Sequence, residues 1–391
     1  VSILANIIAV PWMSFVSIPL CLLSVIFVAI SATLSQLLMT ICLESVQLLW
    51  HYLSYLSSIS WATLALSSTA IQLLVFLGLI SLVLLFLSVK AKSKLSVYYP
   101  SIRALLISVV MIMLTSSFND SASSKPNHWQ LVLFDVGQGL SILIQRQGKA
   151  ILYDTGAAYA SGFNMVEAVI LPYLQYAGIK KLDKVIISHG DNDHAGGLAL
   201  LQQAIVINEL IYNVNKNSKK GGKSENVKLT ENHLSRDCIK GKLFHWQGLT
   251  LEVLWPENNV AKENDDSCVL LISDNQHQVL LAGDISKTVE HKLMQQYPQL
   301  QSDVFIVPHH GSKTSSSEAF ITQLNPKLAL VSAGFLNRWQ MPVLDVVKRY
   351  QSRDIPLLNS ATSGQIIVNF SKKGITTQTY RDDLWPFWFA N

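Results

Sequence analysis

The chain has 391 residues, of which half are apolar and only 14% are charged, and its formal net charge is +4. This length allows roughly two or three domains, and so apolar a composition excludes an ordinary soluble enzyme over the whole length. The apolar excess lies in the first 118 residues. We therefore interpret residues 1–118 as a membrane domain, residues 119–127 as a polar linker and residues 128–391 as a soluble domain.

Three apolar stretches are candidate membrane spans, since about 20 apolar residues cross a bilayer as a helix. Residues 3–42 suit one tilted span or a broken pair, and the uncharged residues 61–89 suit another. Residues 105–118 form a shorter stretch, for which a buried or interfacial helix is the alternative. The amphipathic residues 44–55 could line a polar path, but an interfacial helix is the preferred interpretation.

Basic residues predict the orientation of the chain in the membrane. Lys90, Lys92, Lys94 and Arg103 lie between the second and third apolar stretches without an acidic residue among them. Positive charge marks the cytoplasmic side. If the third stretch crosses, the soluble domain lies outside the cytoplasm, and otherwise it lies inside. Because the chain begins at Val1, we expect that a preceding N-terminal part is missing.

The most informative stretch is residues 188–197, which lie between an apolar strand and an apolar helix. Within this stretch, six consecutive residues contain four side chains that can bind a metal, namely His189, Asp191, Asp193 and His194. Imidazole and carboxylate ligands together suit zinc, manganese or iron. The alternative is a polar loop with capping aspartates, which this density of ligands disfavours.

Other candidate residues follow predicted strands at turns that contain glycine. Asp135 and Asp154 come first, and Asp154 could either orient a metal-binding histidine or form a simple turn. Asp284 ends a later strand and could bridge two metals. His309 and His310 end the next strand, and because neighbouring strand side chains point to opposite faces, one of them could be a core histidine.

A basic, loop-rich segment, residues 208–228, carries five lysines, including Lys219 and Lys220. It could hold a polyanion, since phosphate contacts depend largely on basic side chains. A solvated loop has the same composition, and the residues leave both interpretations open.

The four cysteines lack CxxC spacing, so the sequence predicts no zinc knuckle. Cys21 and Cys42 lie in apolar segments and are predicted to be inert packing residues. Cys238 and Cys268 could pair if the soluble domain faces an oxidising compartment, but we expect them to be free.

Five motifs in this order and spacing resemble the metallo-β-lactamase-fold domain at the C-terminus of ComEC-type competence proteins, which are inner-membrane DNA-uptake channels. The hydrophobic first third is similar to the end of that family's membrane domain. The resemblance implies an α-helical transmembrane region followed by an α/β metallo-β-lactamase fold, an αββα sandwich. The motifs are residues 135–139, 153–156, 188–197, 282–284 and 309–312.

The sequence departs from the family's pattern at three places. Asp191 stands where the usual cluster has its second histidine, residues 264–267 replace a middle histidine, and Met341 precedes Pro342 where relatives have histidine. Each change removes an imidazole, and two of the replacements could supply an oxygen ligand instead. A site richer in oxygen favours manganese or magnesium over zinc. It could also hold a single tight metal, or have lost hydrolysis.

The resemblance implies DNA uptake across the inner (cytoplasmic) membrane by a multi-pass protein, with a metal-dependent nuclease that degrades the non-transforming strand. It implies one or two divalent ions, with manganese or zinc preferred and magnesium as the alternative. Expected partners are single-stranded DNA, membrane lipid, other competence-machinery proteins and the missing N-terminal part of the channel. The sequence contains no nucleotide-binding P-loop, so we expect a partner to supply the energy for transport.

The resemblance also implies roles for individual residues. His189, Asp191 and one of His309 or His310 would hold one ion, Asp193 and His194 would hold the other, and Asp284 would lie between them. Asp193 or Asp191 would act as the base. Asp135 and Asp154 would support the ligands from around them. Ser312 and Lys313 could hold the phosphate, with a plain turn as the alternative, and Lys219 and Lys220 of the basic loop could also bind it.

Two other functions compete with the nuclease. The first is a DNA conduit with a catalytically degenerate, hydrolase-like binding domain, which the lost imidazoles favour. The second is a membrane-anchored metallo-hydrolase of a small ester or lactam, which the channel-like first third and the basic loop disfavour.

Overall fold

The structure is a computed structural model, and it describes residues 2–58, 128–212, 234–257 and 264–383. The chain divides into two compact units, Val1–Ser117 and Phe118–Asn391, and each is described by itself. The predicted apolar stretches 61–89 and 105–118 lie outside the described residues, as do the linker and the lysines at 219 and 220.

The described part of the first unit is helical. It consists of α1 Ser2–Trp12, a π-helical turn Met13–Ser17, α2 Ile18–Val28 and α3 Ala32–Ser58. Two segments, Ala5–Val28 and Ala32–Leu56, are long and apolar enough to cross a membrane by length and composition. Of the two interpretations of residues 3–42, the structure therefore supports the broken pair. Residues 44–55 belong to the continuous α3, and their position at a membrane interface stays a prediction. No glycine or proline interrupts residues 32–58, so nothing in the local sequence ends the helix before residue 44.

Small polar side chains join the helices of this unit. The hydroxyl of Ser35 donates to the carbonyl oxygen of Ser24 at 2.8 Å. The thiol of Cys42 donates to the carbonyl oxygen of Ser17 at 3.3 Å, and the hydroxyls of Ser17 and Ser45 lie 2.9 Å apart. Small residues let helices approach closely in an apolar environment, and their hydroxyls bond across the contact.

The second unit is built on two large β-sheets. Its strands, within the described residues, are β1 Trp129–Leu133, β2 Ile142–Arg146, β3 Lys149–Tyr153, β4 Lys181–Leu182, β5 Lys184–Ile187, β6 Val206–Ile207, β7 Glu209–Tyr212, β8 Leu234–Asp237, β9 Leu243–Trp246, β10 Leu249–Trp255, β11 Val269–Ser273, β12 Gln278–Leu281, β13 Val304–Ile306, β14 Leu328–Val331, β15 Leu357–Asn359, β16 Ile366–Ser371 and β17 Gly374–Thr379. One sheet has the order β17-β16-β1-β2-β3-β5-β7-β8, and the other has the order β15-β14-β13-β12-β11-β10-β9. Strands β4 and β6 form a small separate pair.

The helices of this unit cover the outer faces of both sheets. They are the π-helical Val166–Ile170 leading into α4 Leu171–Tyr176, then α5 Asn192–Ala195, α6 Leu198–Ala204, α7 Lys287–Gln296, α8 Glu318–Leu324, α9 Leu344–Gln351 and α10 Ser360–Ser363, with 3-10 turns at Asn264–Asp266 and Pro308–Gly311.

Three buried apolar clusters define the layers. The central cluster takes residues such as Leu131 and Ile144 from the first sheet and Leu251 and Leu270 from the second. The other two clusters pack α4 and α6 on one outer face and α7, α8 and α9 on the opposite outer face. Burying both faces of both sheets gives the layer order helix, sheet, sheet, helix. The predicted αββα sandwich is confirmed.

A disulfide connects the two sheets at Cys238 and Cys268, whose Cα atoms are 5.9 Å apart. Both residues are fully buried. The expectation that these cysteines are free was therefore wrong. Cys238 follows the edge strand β8 of the first sheet and Cys268 precedes β11 of the second, so their proximity depends on how the sheets stack.

Parallel pairing brings the candidate site residues to one edge of each sheet. Strands β3, β5 and β7 are parallel neighbours in the first sheet, as are β12, β13 and β14 in the second. The carboxyl ends of parallel strands meet at the same edge, where functional residues commonly lie.

Candidate metal centre

Asp154 occupies the end of β3 and organises the loop that follows β5. Its two carboxylate oxygens accept hydrogen bonds from the backbone N–H and the hydroxyl of Ser188, both at 2.7 Å. The Nδ1 atom of His194 lies 2.8 Å from its Oδ2. All three side chains are buried. Asp154 therefore holds the imidazole of His194 in one orientation.

Three histidines each direct Nδ1 toward an oxygen atom of the protein. Nδ1 of His194 faces the Asp154 carboxylate, and Nδ1 of His310 lies 2.9 Å from the carbonyl oxygen of Ser332. Nδ1 of His189 lies 3.0 Å from the Ser188 hydroxyl oxygen, whose own proton goes to Asp154. Because these oxygens act as acceptors, we assign the proton to Nδ1 of each ring.

The tautomers leave the Nε2 lone pairs of these rings available for a ligand. Within the described residues, Nε2 of His189, His194 and His310 is buried without a hydrogen-bond partner. Buried polar atoms are nearly always satisfied, and metal-binding imidazoles usually donate their other nitrogen to a carboxylate or carbonyl. The three Nε2 atoms therefore have the properties of metal ligands.

Four donors converge on one point. Ligand atoms of Asp193, His194, Asp284 and His310 all lie within 4.8 Å of one another. Nε2 of His194 lies 3.2 Å from Oδ1 of Asp284, and Nε2 of His310 lies 3.4 Å from Oδ2 of Asp193. Tetrahedral ligands with bonds of about 2.1 Å are separated by about 3.4 Å. Two nitrogens and two oxygens at this spacing fit a divalent transition metal.

His189 and Asp191 form a second, less complete pair next to these four donors. Nε2 of His189 lies 3.6 Å from Oδ2 of Asp191, whose side chain is 34% exposed. The rings of His189 and His194 are 4.2 Å apart between centroids. The structure groups His310 with Asp193 and His194, and not with His189 and Asp191 as the resemblance implied.

The adjacent histidines at the end of β13 diverge because their backbone is in the left-handed region. His309 has φ +53° and His310 has φ +54°, and their ring centroids are 6.4 Å apart. His310 is buried against Asp284. The His309 side chain is 26% exposed, and its Nε2 lies 3.9 Å from Oδ2 of Asp284. His310 thus joins the four-donor cluster, and His309 lies at its border.

The buried carboxylates and imidazoles of the cluster shift one another's pKa values. Burial opposes the ionisation of Asp193, but the imidazole of His310, with Nε2 at 3.4 Å, and the charge of His194 lower its pKa to about 2. Burial likewise opposes ionisation of Asp284, yet the imidazoles of His194 and His310 hold its pKa well below the ordinary value. Burial works against the positive charge of a doubly protonated His194, while Asp284 and Asp154 raise its pKa well above the usual range, and a metal ion at Nε2 would take the place of that second proton. The ionised carboxylates favour positive charge at the centre of the site.

Ser267 supports the site from the segment that replaces the family's middle histidine. Its hydroxyl oxygen accepts the backbone N–H of Asp284 at 3.0 Å, and the hydroxyl donates to the carbonyl oxygen of Asn264 at 2.7 Å. A side chain at Gly283, which has φ +54°, would approach the Cβ of Ser267 to 2.7 Å. The segment therefore positions Asp284. Neither Ser188 nor Ser267 was predicted to have a role, and the only signal that each carries is a hydroxyl group next to a ligand motif or a strand.

The remaining predicted residues lie at various distances from the cluster. Asp135 pairs with Arg381 at 3.7 Å, and burial raises the pKa of Asp135 against the opposing effects of Gly137 and Arg381. The hydroxyl of Ser312 lies 3.0 Å from that of Thr314 within a turn. Lys313 is exposed, and its carbonyl oxygen accepts from Lys287. Within the described residues, no hydrogen bond or ion pair joins these side chains to the four donors.

Met341 does not supply the donor that a histidine would provide at this position. Its sulfur lies 3.7 Å from Nε2 of Gln138, which donates to it. The backbone N–H of Met341 donates to the side-chain oxygen of Asn337 at 2.9 Å. Met341 therefore belongs to the framework of its loop.

Comparison with known families matches both parts of the chain. Residues 134–334 match the Metallo-beta-lactamase superfamily, and residues 1–93 match the family described as Competence protein. The first match covers just over half of the chain and includes the described metal ligands. Membership of this superfamily implies a divalent metal, for which the cluster is the candidate site.

Three similar proteins extend the comparison. Recombination protein 2 of Haemophilus influenzae is 41% identical over 68% of this chain and 32% of its own length. Competence protein ComA of Neisseria gonorrhoeae is 31% identical over 65% of this chain and 34% of its own length. ComE operon protein 3 of Bacillus subtilis is 27% identical over 97% of this chain and 50% of its own length.

The chain thus spans between a third and a half of the length of these relatives. It carries a competence domain followed by a metallo-β-lactamase domain, and this combination is consistent with a ComEC-type competence protein. The chain belongs to the metallo-β-lactamase superfamily.

Proposed function

We propose that the chain takes part in DNA uptake across the inner membrane and that its second unit is a metal-dependent nuclease that degrades the non-transforming strand. The observation that carries this proposal is the convergence of Asp193, His194, Asp284 and His310 on one point. The competence family match supports DNA as the substrate. The two helices that are long and apolar enough to span a membrane support membrane attachment.

We propose one tight ion in the four-donor cluster and a weaker second position at His189 and Asp191. The mixed nitrogen and oxygen donors favour zinc or manganese. Magnesium is less suited, because it prefers six oxygen ligands and keeps several waters. A divalent ion in this site supplies Lewis acidity toward a phosphoryl oxygen and toward water.

The protein's own residues would position and deprotonate the nucleophile. Asp191 and Asp193 each have side chains that are 34% exposed, so either carboxylate can accept a proton from water at the mouth of the site. Asp284 is nearly fully buried and faces both His194 and His310. Asp154 and the Ser332 carbonyl keep those two rings oriented.

The disulfide supports a position of the second unit outside the cytoplasm. Disulfides persist in oxidising compartments and are rare in the cytosol. Cys238 and Cys268 join the two sheets within the core. This agrees with the orientation that the basic residues predict if residues 105–118 cross the membrane.

The test uses the purified chain in detergent. Bound metal is quantified, and manganese, magnesium and zinc are titrated against cleavage of a labelled single strand. We expect cleavage that requires metal and is lost in Asp284→Ala, but is kept in the control Asp345→Ala, whose carboxylate is exposed at the start of α9. Undiminished cleavage by Asp284→Ala would refute the assignment.

One competing function is a DNA conduit with a degenerate hydrolase domain. It is favoured because Asp191 replaces a histidine and because residues 264–267 do not act as ligands. This function predicts strand binding without metal and without cleavage in the same assay. Hydrolysis of a chromogenic lactam or ester, with no effect on DNA, would instead indicate a membrane-anchored hydrolase of small molecules.

A further inference from the structure

A loop of the second unit, residues 334–342, exposes several large side chains. Phe335 is 68% exposed, Leu336 is 86% exposed and Trp339 is 47% exposed. The guanidinium carbon of Arg338 lies 4.2 Å from the centroid of the Trp339 ring. We call residues 334–342 the rim loop. Exposed apolar side chains that are grouped in this way commonly mark a binding surface.

The rim loop is held firmly despite its exposure. The side-chain amide of Asn337 donates to the carbonyl oxygens of Gly334 and Met341 at 2.9 and 2.6 Å, and its oxygen accepts the Met341 N–H at 2.9 Å. The side-chain oxygen of Gln138 accepts the Gly334 N–H at 3.2 Å. The framework fixes the backbone, while the side chains of Phe335 and Trp339 stay exposed and Arg338 covers part of the Trp339 ring.

The rim loop also lies beside the metal centre. It begins two residues after Ser332, whose carbonyl oxygen orients His310. The Ser332 hydroxyl donates to the carbonyl oxygen of Gly139 at 2.6 Å. The next residue, Leu140, donates its N–H to the carbonyl oxygen of Asp193 at 3.0 Å. The loop is thus connected to two of the four donors through short hydrogen bonds.

We propose that the rim loop is a stacking platform for the bases of a single nucleic-acid strand and leads its backbone to the metal centre. Aromatic faces stack on every base type, and arginine adds a cation for the phosphates. Among the described residues, no carboxylate forms an ion pair with Arg338, so its charge is available. This proposal rests on the proposed function, and it names the groups that recognise the substrate.

The experiment compares two probes that differ only in their bases. A labelled oligothymidylate and an abasic strand of the same length are titrated against the full chain in detergent, and binding is followed by fluorescence anisotropy. Binding is measured in the presence of EDTA, which keeps the probe intact because the proposed cleavage requires metal. The test variants are Trp339→Ala and Phe335→Ala, and the matched control is Tyr176→Ala, an aromatic residue 75% exposed on α4.

We expect Trp339→Ala and Phe335→Ala each to weaken binding of the oligothymidylate by roughly 5- to 50-fold, since a stacked base contributes strongly to affinity. Binding of the abasic strand should change much less, and Tyr176→Ala should change neither. Bound metal, measured in parallel without the chelator, should be the same in these variants and in the unmodified chain, which excludes damage to the centre.

Equal binding by the test variants and the control would overturn the proposal. A fraction of the tryptophan quenching by brominated lipid that is lost in Trp339→Phe would also overturn it, because the loop would then face a membrane surface. The failures of the two proposals can be distinguished. If the unmodified chain shows no metal-dependent hydrolysis, the nuclease proposal fails, and base-dependent binding at Trp339 still tests the platform. If cleavage is real but Trp339→Ala binds normally, only the platform is refuted.

Discussion

Nδ1 of His194 lies 2.8 Å from Oδ2 of Asp154, and neither side chain is exposed to solvent. The carboxylate directly follows β3 and the imidazole lies on α5, so the contact joins two elements that are separated in the chain. It fixes the ring with Nε2 toward Asp284, 3.2 Å away. A supporting carboxylate of this kind orients a metal-binding histidine and increases its basicity.

Replacing Asp154 should therefore weaken metal binding even though Asp154 is not itself a donor. We expect Asp154→Asn to reduce metal affinity by about 10- to 100-fold, the usual cost of losing such a partner. The matched control is Asp135→Asn, because Asp135 pairs with Arg381. Competition with a fluorescent chelator measures both affinities. An equal loss in the two variants would show that Asp154 has no special role.

The neighbouring histidines of the 3-10 turn provide a second comparison. His310→Ala should reduce metal affinity by more than the roughly 100-fold upper cost of losing a supporting residue, because it removes a donor of the cluster. His309→Ala should have a smaller effect, since its side chain is 26% exposed and lies at the border. Metal content after dialysis distinguishes the two variants. A larger loss of bound metal in His309→Ala would identify His309, and not His310, as the donor.

The carboxylate of Asp274 should make stability depend on pH. Burial opposes its ionisation, but N–H groups of Gln276, Trp129 and His277 donate to it and lower its pKa. A carboxyl group with a lowered folded-state pKa stabilises the fold above its ordinary pKa of about 3.9, and this stabilisation is lost as the pH falls through the folded-state value.

We accordingly expect Asp274→Ala to lower the free energy of unfolding by about 1–3 kcal/mol at pH 7, because the buried Trp129 indole N–H loses its acceptor. The difference from the unmodified chain should shrink at pH 3. Hydrogen exchange of the β1 and β16 amides measures the free energy of unfolding of both chains at each pH. A difference that is constant between pH 3 and pH 7 would contradict the assigned pKa shift.

The disulfide predicts a simple count of thiols. The chain has four cysteines, so denaturation without a reducing agent should leave two thiols for alkylation, and reduction should expose four. Peptide mapping should recover a linked pair containing Cys238 and Cys268. Reduction should also lower the free energy of unfolding by about 3–4 kcal/mol, since the bond closes a loop of 30 residues. Four reactive thiols before reduction would refute the pairing.

The layered fold could be predicted because motifs in a fixed order resemble those of the metallo-β-lactamase fold, and because the apolar strands that precede them are a local pattern. Short apolar strands end in turns that contain Asp154, Asp284 and His310, and these motifs recur in a fixed order along the chain. The continuity of α3 was missed, since a polar face at residues 44–55 has the same pattern in an interfacial helix and at the end of a span.

The sequence by itself determined which residue types could bind a metal and that they follow strands, because these properties depend on composition and spacing. Only the tertiary structure decided that His310 joins Asp193 and His194, because the left-handed turn at the end of β13 separates two adjacent imidazoles. The tertiary structure also decided the pairing of Cys238 with Cys268 and the support of Asp284 by Ser267. These contacts cross between elements distant in sequence, and only the stacking of the two sheets and the loops at their edges brings them together.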